Sequence, residues 1–130
     1  MEDRELLQRA IEAKKYAYVP YSNFPVGAAV LTKNNKVYTG CNIECASYGG
    51  TNCAERTALF KAISEGSKDI EAIAVVSDRP QYTYPCGICR QVILEFGSAI
   101  RVIIGKPDGS FKTYSILELL PNSFSSSDFD

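Results

Sequence analysis

Three cysteines in two short segments set the strongest demand on how this chain can fold. Cys53-Ala54-Glu55 and Pro85-Cys86-Gly87-Ile88-Cys89 lie far apart in the chain, and each opens a predicted helix. If the two helix starts meet at one end of a sheet, three thiolates converge. Cys86 and Cys89, at i and i+3, share one helix face and can reach one metal. A helix N-terminus carries partial positive charge and unpaired N–H groups, which favour a thiolate. Three thiolates leave a tetrahedral zinc with one open position, as in catalytic rather than closed structural sites. Zinc makes hydroxide available near neutral pH from a water held there. Glu55 follows Cys53 closely enough to handle that water's protons without binding the metal. Zinc with three thiolates keeps a net charge near −1, which the helix dipoles, Arg56 and Arg90 are positioned in the sequence to offset. The chain has no histidine. Every Ser-His or Cys-His nucleophile is thereby excluded, and carboxylates become the main acid/base groups.

The same residues admit other uses. Cys41-x3-Cys45 with Cys86-x2-Cys89 has the ligand count of a closed four-cysteine zinc site that leaves Cys53 out. Cys86-Gly87-Ile88-Cys89 alone suits dithiol exchange, a reading that leaves Glu55 unexplained. Glu55 also stands three residues after Asn52, the spacing of a capping box. A carboxyl folded back on Asn52 cannot also face a metal-held water. Phe24 and Phe124 are by default core or surface aromatics. Asn42 and Glu44 flank Ile43 and face one side of an extended chain, as a hydroxyl-binding pair or two solvated loop residues would.

Size and charge narrow the partners. At 130 residues the chain is expected to form a single domain, residues 1–130. The formal net charge is −1, and no run of Lys or Arg supplies the basic stripe that nucleic acid binding needs. No apolar stretch approaches the ~18 residues of a membrane span, and the acidic N-terminal segment lacks an apolar signal core. The expected compartment is the cytoplasm, where cysteines serve metals or catalysis more than disulfides.

Periodicity predicts the order αββαβαββα. Residues 2–17 read as an amphipathic helix, ended by Pro20. Residues 26–32 and 36–41 read as a hairpin around Asn34-Asn35. A helix with Asn52 as its N-cap follows and runs to Gly66, then a nearly all-apolar strand over 70–77, covered on both faces. Residues 86–96 form the next helix, 100–105 and 111–114 two strands around Pro107-Asp108-Gly109, and Ser115-Ile116-Leu117-Glu118 a capping box opening a last short helix. This order fits a three-layer α/β/α fold with a mixed five-stranded sheet.

The C-x-E and P-C-x-x-C pair resembles the zinc-dependent nucleobase and nucleoside deaminases, with cysteine in place of the first-motif histidine. The segments YVPYSNFPVGAAVLT, GCNIE, NCAERTALFKAISEG, TYPCGICRQV and ELLPNSF resemble, in order and spacing, the small homotetrameric class of the cytidine/deoxycytidylate deaminase family, whose zinc site is all cysteine. Cys45 and Tyr84 depart from that pattern, at positions where the family usually has Asn and a small hydroxyl residue. The resemblance implies one zinc per subunit on Cys53, Cys86 and Cys89. It implies that zinc-bound hydroxide attacks C4 of cytidine or 2′-deoxycytidine while Glu55 shuttles protons, with release of ammonia in pyrimidine salvage. By the same resemblance, Ala54 would hold the ring edge through its backbone, Asn42 and Glu44 the ribose 3′-hydroxyl, and Phe24 would flank the base. Phe124 and Tyr48 would act across a subunit boundary of a homotetramer. The readings set against it are a deaminase of another cytosine nucleoside, such as blasticidin S, and a non-enzymatic domain held by structural zinc.

Overall fold

The apolar runs become five strands, β1 Val26–Thr32, β2 Val37–Cys41, β3 Ile70–Ser77, β4 Arg101–Gly105 and β5 Phe111–Ser115, joined in one sheet in the order β2-β1-β3-β4-β5. The computed structural model describes residues 1–129; Asp130, the last residue of the span expected to form one domain, lies outside the described residues. β3 and β4 pair in parallel, whereas β1 pairs antiparallel with both β2 and β3, and β5 antiparallel with β4. Helices α1 Asp3–Ala13, α2 Ala54–Ser64, α3 Gly87–Glu95 and α4 Ile116–Leu119 complete the predicted order.

Strand alternation divides the core into two layers. Ala29 and Leu31 of β1, Ala72, Ala74 and Val76 of β3 and Ile103 of β4 face α1, whose Leu6, Leu7 and Ala10 are buried against them. Ala28, Val30, Ile73, Val75, Val102 and Ile104 point the other way, onto Ala54, Ala58, Leu59 and Ala62 of α2, Ile93 of α3 and Ile116 and Leu119 of α4. The central strands are covered on both faces, which is why they read as continuous apolar runs rather than alternating ones. The result is the three-layer α/β/α arrangement expected from the sequence. No helix among the described residues is long and apolar enough to cross a membrane.

Two helix boundaries differ from the expectation. The first helix ends at Ala13 rather than Ala17, and Lys14–Tyr16 tighten into a 3₁₀ turn closed by the Ala17 N–H on the Lys14 carbonyl. The periodic Ala17 extends the apolar pattern past the point where the α-helical backbone stops. The second concerns Asn52. Its backbone exchanges hydrogen bonds with Ile43, and its side-chain amide donates to Thr57 Oγ1 at 3.0 Å, so Cys53 becomes the N-cap of α2 and no capping box with Glu55 forms. The box at Ser115 does form, with Glu118 N–H donating to Ser115 Oγ and Ser115 N–H to Glu118 Oε1.

Two glycines allow the helices to lie close on the sheet. A Cβ at Gly27 would stand 2.0 Å from the Ala10 carbonyl oxygen of α1, and one at Gly40 would stand 2.5 Å from the Ala58 nitrogen of α2. Both obstacles are backbone, so relief requires moving a helix. Gly27→Ala and Gly40→Ala are each expected to destabilise the protein by about 2–3 kcal/mol, read as a lowered midpoint in thermal or urea unfolding. An unchanged midpoint in both would contradict this close seating.

Candidate active site

The sheet directions decide where the helices begin. Because β2 and β3 are each antiparallel to β1, they run the same way. The chain leaving the C-terminal end of β2 enters α2, and the chain leaving the same end of β3 enters α3. Both helices therefore start at one end of the sheet and return over the same face. Cys53 is the N-cap of α2 and Cys86 the N-cap of α3, with Cys89 one turn further along.

The Sγ atoms of Cys53, Cys86 and Cys89 lie within 4.8 Å of one another. Those of Cys53 and Cys86 are 3.9 Å apart. Two sulfurs in a tetrahedral zinc shell, at about 2.3 Å from the metal, stand about 3.8 Å apart, so the spacing matches a zinc tripod. Cys89 is buried, Cys53 partly buried and Cys86 exposed, which leaves the cluster open on one side. Among the described residues this is the one group of three or more metal-ligating side chains, and neither Cys41, Cys45 nor Glu55 belongs to it. Cys45 is exposed, with its sulfur beside Gly50. The closed four-cysteine arrangement is therefore absent.

Charge is focused on Cys53. Its thiol is held down to about 5, first by a hydrogen bond from Cys89 and then by Arg56, whose Nη2 donates to Cys53 Sγ at 3.2 Å. The same contact, with burial, pushes the Cys89 thiol upward. Arg56 Nε is buried without a hydrogen-bond partner. Of the two arginines expected to offset the thiolates, Arg56 touches the cluster. Arg90 instead donates through Nε to the Pro85 carbonyl and through Nη1 to that of Leu119, both at 2.8 Å, and so ties α3 to α4.

Glu55 is the buried acid of the site, only 5% exposed. Burial pushes its carboxyl up to about 7, with the Cys53 charge acting in the same direction and its own backbone N–H and Arg56 opposing. A carboxyl in that range holds and releases a proton near neutrality, as a general acid/base group requires. Ala54, beside it, is fully buried at the first turn of α2.

The remaining expected residues, Phe24, Asn42, Glu44, Tyr48 and Phe124, lie outside the strands and α-helices. Asn42 and Glu44 both grip the segment that leads into β1. Asn42 accepts from the Val26 N–H at 2.9 Å and donates to the Phe24 carbonyl at 2.8 Å. Glu44 accepts from the backbone N–H groups of Tyr21 and Ser22 at 2.9 and 3.0 Å and from the Ser22 hydroxyl. The Ser22 hydroxyl bond is the main reason the Glu44 carboxyl is held below its ordinary range. Tyr21, Ser22, Glu44, Tyr48 and Thr51 line a cavity of about 330 Å³. Tyr48 is three-quarters exposed and packs edge-on against Tyr21. Phe124 is also exposed; its carbonyl accepts from Gln91 Nε2 and its ring meets Phe129. Tyr84 turns onto β5, its hydroxyl 2.8 Å from that of Tyr114. Sequence reasoning missed Ser22. The nearest signal is the tight turn at Asn23, which takes a positive φ of 57°.

The family model for the cytidine and deoxycytidylate deaminase zinc-binding region matches residues 1–106. The chain is 51% identical, over its full length and 99% of the relative, to a cytidine deaminase of Halalkalibacterium halodurans. It is 46% identical to one of Sporosarcina psychrophila, over 98% of this chain and 95% of that one. A solved cytidine deaminase from Burkholderia pseudomallei superposes with a TM-score of 0.91 at 46% identity, covering 95% of this chain and 100% of that chain.

Because the cluster brings together the starts of two separate helices, a bound metal would add a cross-link to the folded state alone. Treating the purified protein with a strong chelator is expected to lower its melting temperature. Unchanged melting with the zinc fully removed would contradict a joining role.

Proposed function

This chain belongs to the cytidine and deoxycytidylate deaminase family, and we propose from that premise how its own residues carry out the reaction. The activity is zinc-dependent hydrolytic deamination of cytidine and 2′-deoxycytidine to uridine and 2′-deoxyuridine. Water adds at C4, the C4–N4 bond breaks, and ammonia leaves. The observation that carries the reading is three convergent thiols with a buried carboxyl two residues after the first of them.

Cys53, Cys86 and Cys89 hold the zinc, which when bound supplies Lewis-acid activation of water. Arg56 offsets part of the charge that three thiolates bring, through its contact with Cys53. Glu55 takes a proton from the attacking water and delivers it to N3 of the ring, then takes the proton of the new C4 hydroxyl and carries it to the departing amine. Its burial supports that role, because a carboxyl lifted toward neutrality can serve in both directions. The Ala54 backbone holds the ring edge. Phe24 flanks the base, and Asn42 with Glu44 receives the ribose 3′-hydroxyl. The cavity beside Glu44 and Tyr48 supports a sugar at that place.

Tyr48 and Phe124 act across a subunit boundary in a homotetramer that works in cytoplasmic pyrimidine salvage. Large exposed apolar surface supports such an assembly: Tyr16, Tyr48, Ile88, Phe124 and Phe129 are all more than 60% exposed in the single chain, or at that value in the case of Phe124.

Glu55→Gln keeps the shape of the side chain and removes its acid/base function. The expected outcome is a fall in kcat on cytidine of roughly 10²–10⁴-fold, with bound zinc and melting temperature retained. Near-normal turnover in this variant would overturn the role of Glu55 and favour a zinc that only holds the fold. Sedimentation of the native protein is expected to give a mass of four chains. A single-chain mass would remove the cross-subunit roles of Tyr48 and Phe124.

A further inference from the structure

The loop between β3 and α3 ends in Cys86, and its first part reaches across to the segment before β1. The guanidinium carbon of Arg79 lies 4.9 Å from the centre of the Phe24 ring, within cation–π range. The base of this arm is anchored. Arg79 N–H donates at 3.2 Å to Oγ of Ser77, a fully buried residue at the end of β3, and the same hydroxyl bonds to Thr83 further along the loop. Among the described residues Arg79 makes no salt bridge; the ion pairs are Lys14–Asp78, Arg101–Asp3 and Arg101–Glu71. Its charge is therefore not drawn away to a carboxylate.

Phe24 is held on its other sides by backbone contacts. Its N–H donates to Ser22 Oγ at 3.1 Å and its carbonyl accepts from Asn42. These bonds place the Cα but leave the ring free to turn about its side-chain torsions. The ring packs only partly into the core layer beneath α2. The guanidinium, placed over the ring, supplies the missing orientation, because the attraction is greatest along the ring normal and fails when the ring rotates. An aromatic that flanks a base contributes through the plane it presents.

We propose that Arg79 is a positioning residue for substrate binding: it fixes the plane of the Phe24 ring and thereby the slot into which the pyrimidine enters. This rests on the reading that Phe24 flanks the base. The arginine acts on binding of the ring and leaves the proton transfers of Glu55 untouched, so its effect falls on KM rather than kcat. Arg79 also links the segment before β1 to the loop that delivers Cys86, so one contact spans the two sides of the substrate mouth.

The test is steady-state kinetics on cytidine with the zinc-loaded full chain, for Arg79→Gln, Arg79→Lys, Phe24→Leu and the double variant Arg79→Gln/Phe24→Leu. Arg79→Gln is expected to raise KM about two- to fivefold, the size of an exposed cation–π contact, with kcat unchanged. Arg79→Lys, which restores a cation, is expected to recover part of the loss. Phe24→Leu is expected to raise KM on its own, and Arg79→Gln to add nothing in that background, since the cycle isolates the pair. If Phe24→Leu raises KM and Arg79→Gln does not, the positioning role fails while the reading of Phe24 stands. If Phe24→Leu leaves KM unchanged, the reading of Phe24 itself fails and takes the inference with it. A KM effect of Arg79→Gln that persists undiminished beside Phe24→Leu, or a loss in kcat alone, also overturns the proposal.

Discussion

The structure depends on two helix N-termini being forced to the same end of one sheet. That constraint comes from strand direction: β1 is antiparallel to both β2 and β3, so the helices that follow β2 and β3 begin side by side. The parallel β3–β4 pair then requires α3 to cross back over the face that α2 already covers. An open α/β sheet places its reactive loops beyond the carboxyl ends of the strands. Here that end receives Cys53 and Cys86 as N-caps. The orphan N–H groups and the positive ends of both dipoles are therefore aimed at the place where the thiolates gather.

This convergence creates an electrostatic difficulty, which the surrounding residues ease in different ways. Three sulfurs within 4.8 Å repel one another once ionised. Arg56 answers at short range through Cys53, and a bound zinc answers for all three. The same negative cluster and the depth of α2 keep the Glu55 carboxyl from ionising as readily as an exposed one would. Binding the metal and preparing the acid are thus consequences of one placement, since Cys53 and Glu55 are both fixed by the first turn of α2. The segment before β1 is held differently. Distant side chains cross-brace it, Glu44 on Ser22, Asn42 on Phe24, and Arg79 on the Phe24 ring.

Most of the fold was legible because its signals are local. The apolar runs of β1 and β3 coincide with the strands, and the Ser115–Glu118 box formed because every partner lies within one helical turn. The metal ligands were legible because spacing on a helix fixes direction, as at Cys86 and Cys89. Local signals misled where a distant segment competed for the same group. Asn52 is a residue type that suits an N-cap, yet pairing with Ile43 draws its backbone away and moves the N-cap to Cys53. Arg90 follows a ligand directly in sequence, but the carbonyls of Pro85 and Leu119 claim its guanidinium. Ser22 was marked only by the turn residue Asn23 beside it and Arg79 by nothing, since their partners Glu44 and Phe24 are met only after the sheet has closed.

The central claim is a zinc held by three cysteine sulfurs with its fourth position left to a light atom. X-ray absorption at the zinc edge of the purified native protein reads that shell directly. The account predicts three sulfurs at about 2.3 Å and one oxygen or nitrogen at about 2.0 Å. Four sulfurs would mean that Cys41 or Cys45 closes the site, and would contradict the geometry on which the reaction rests.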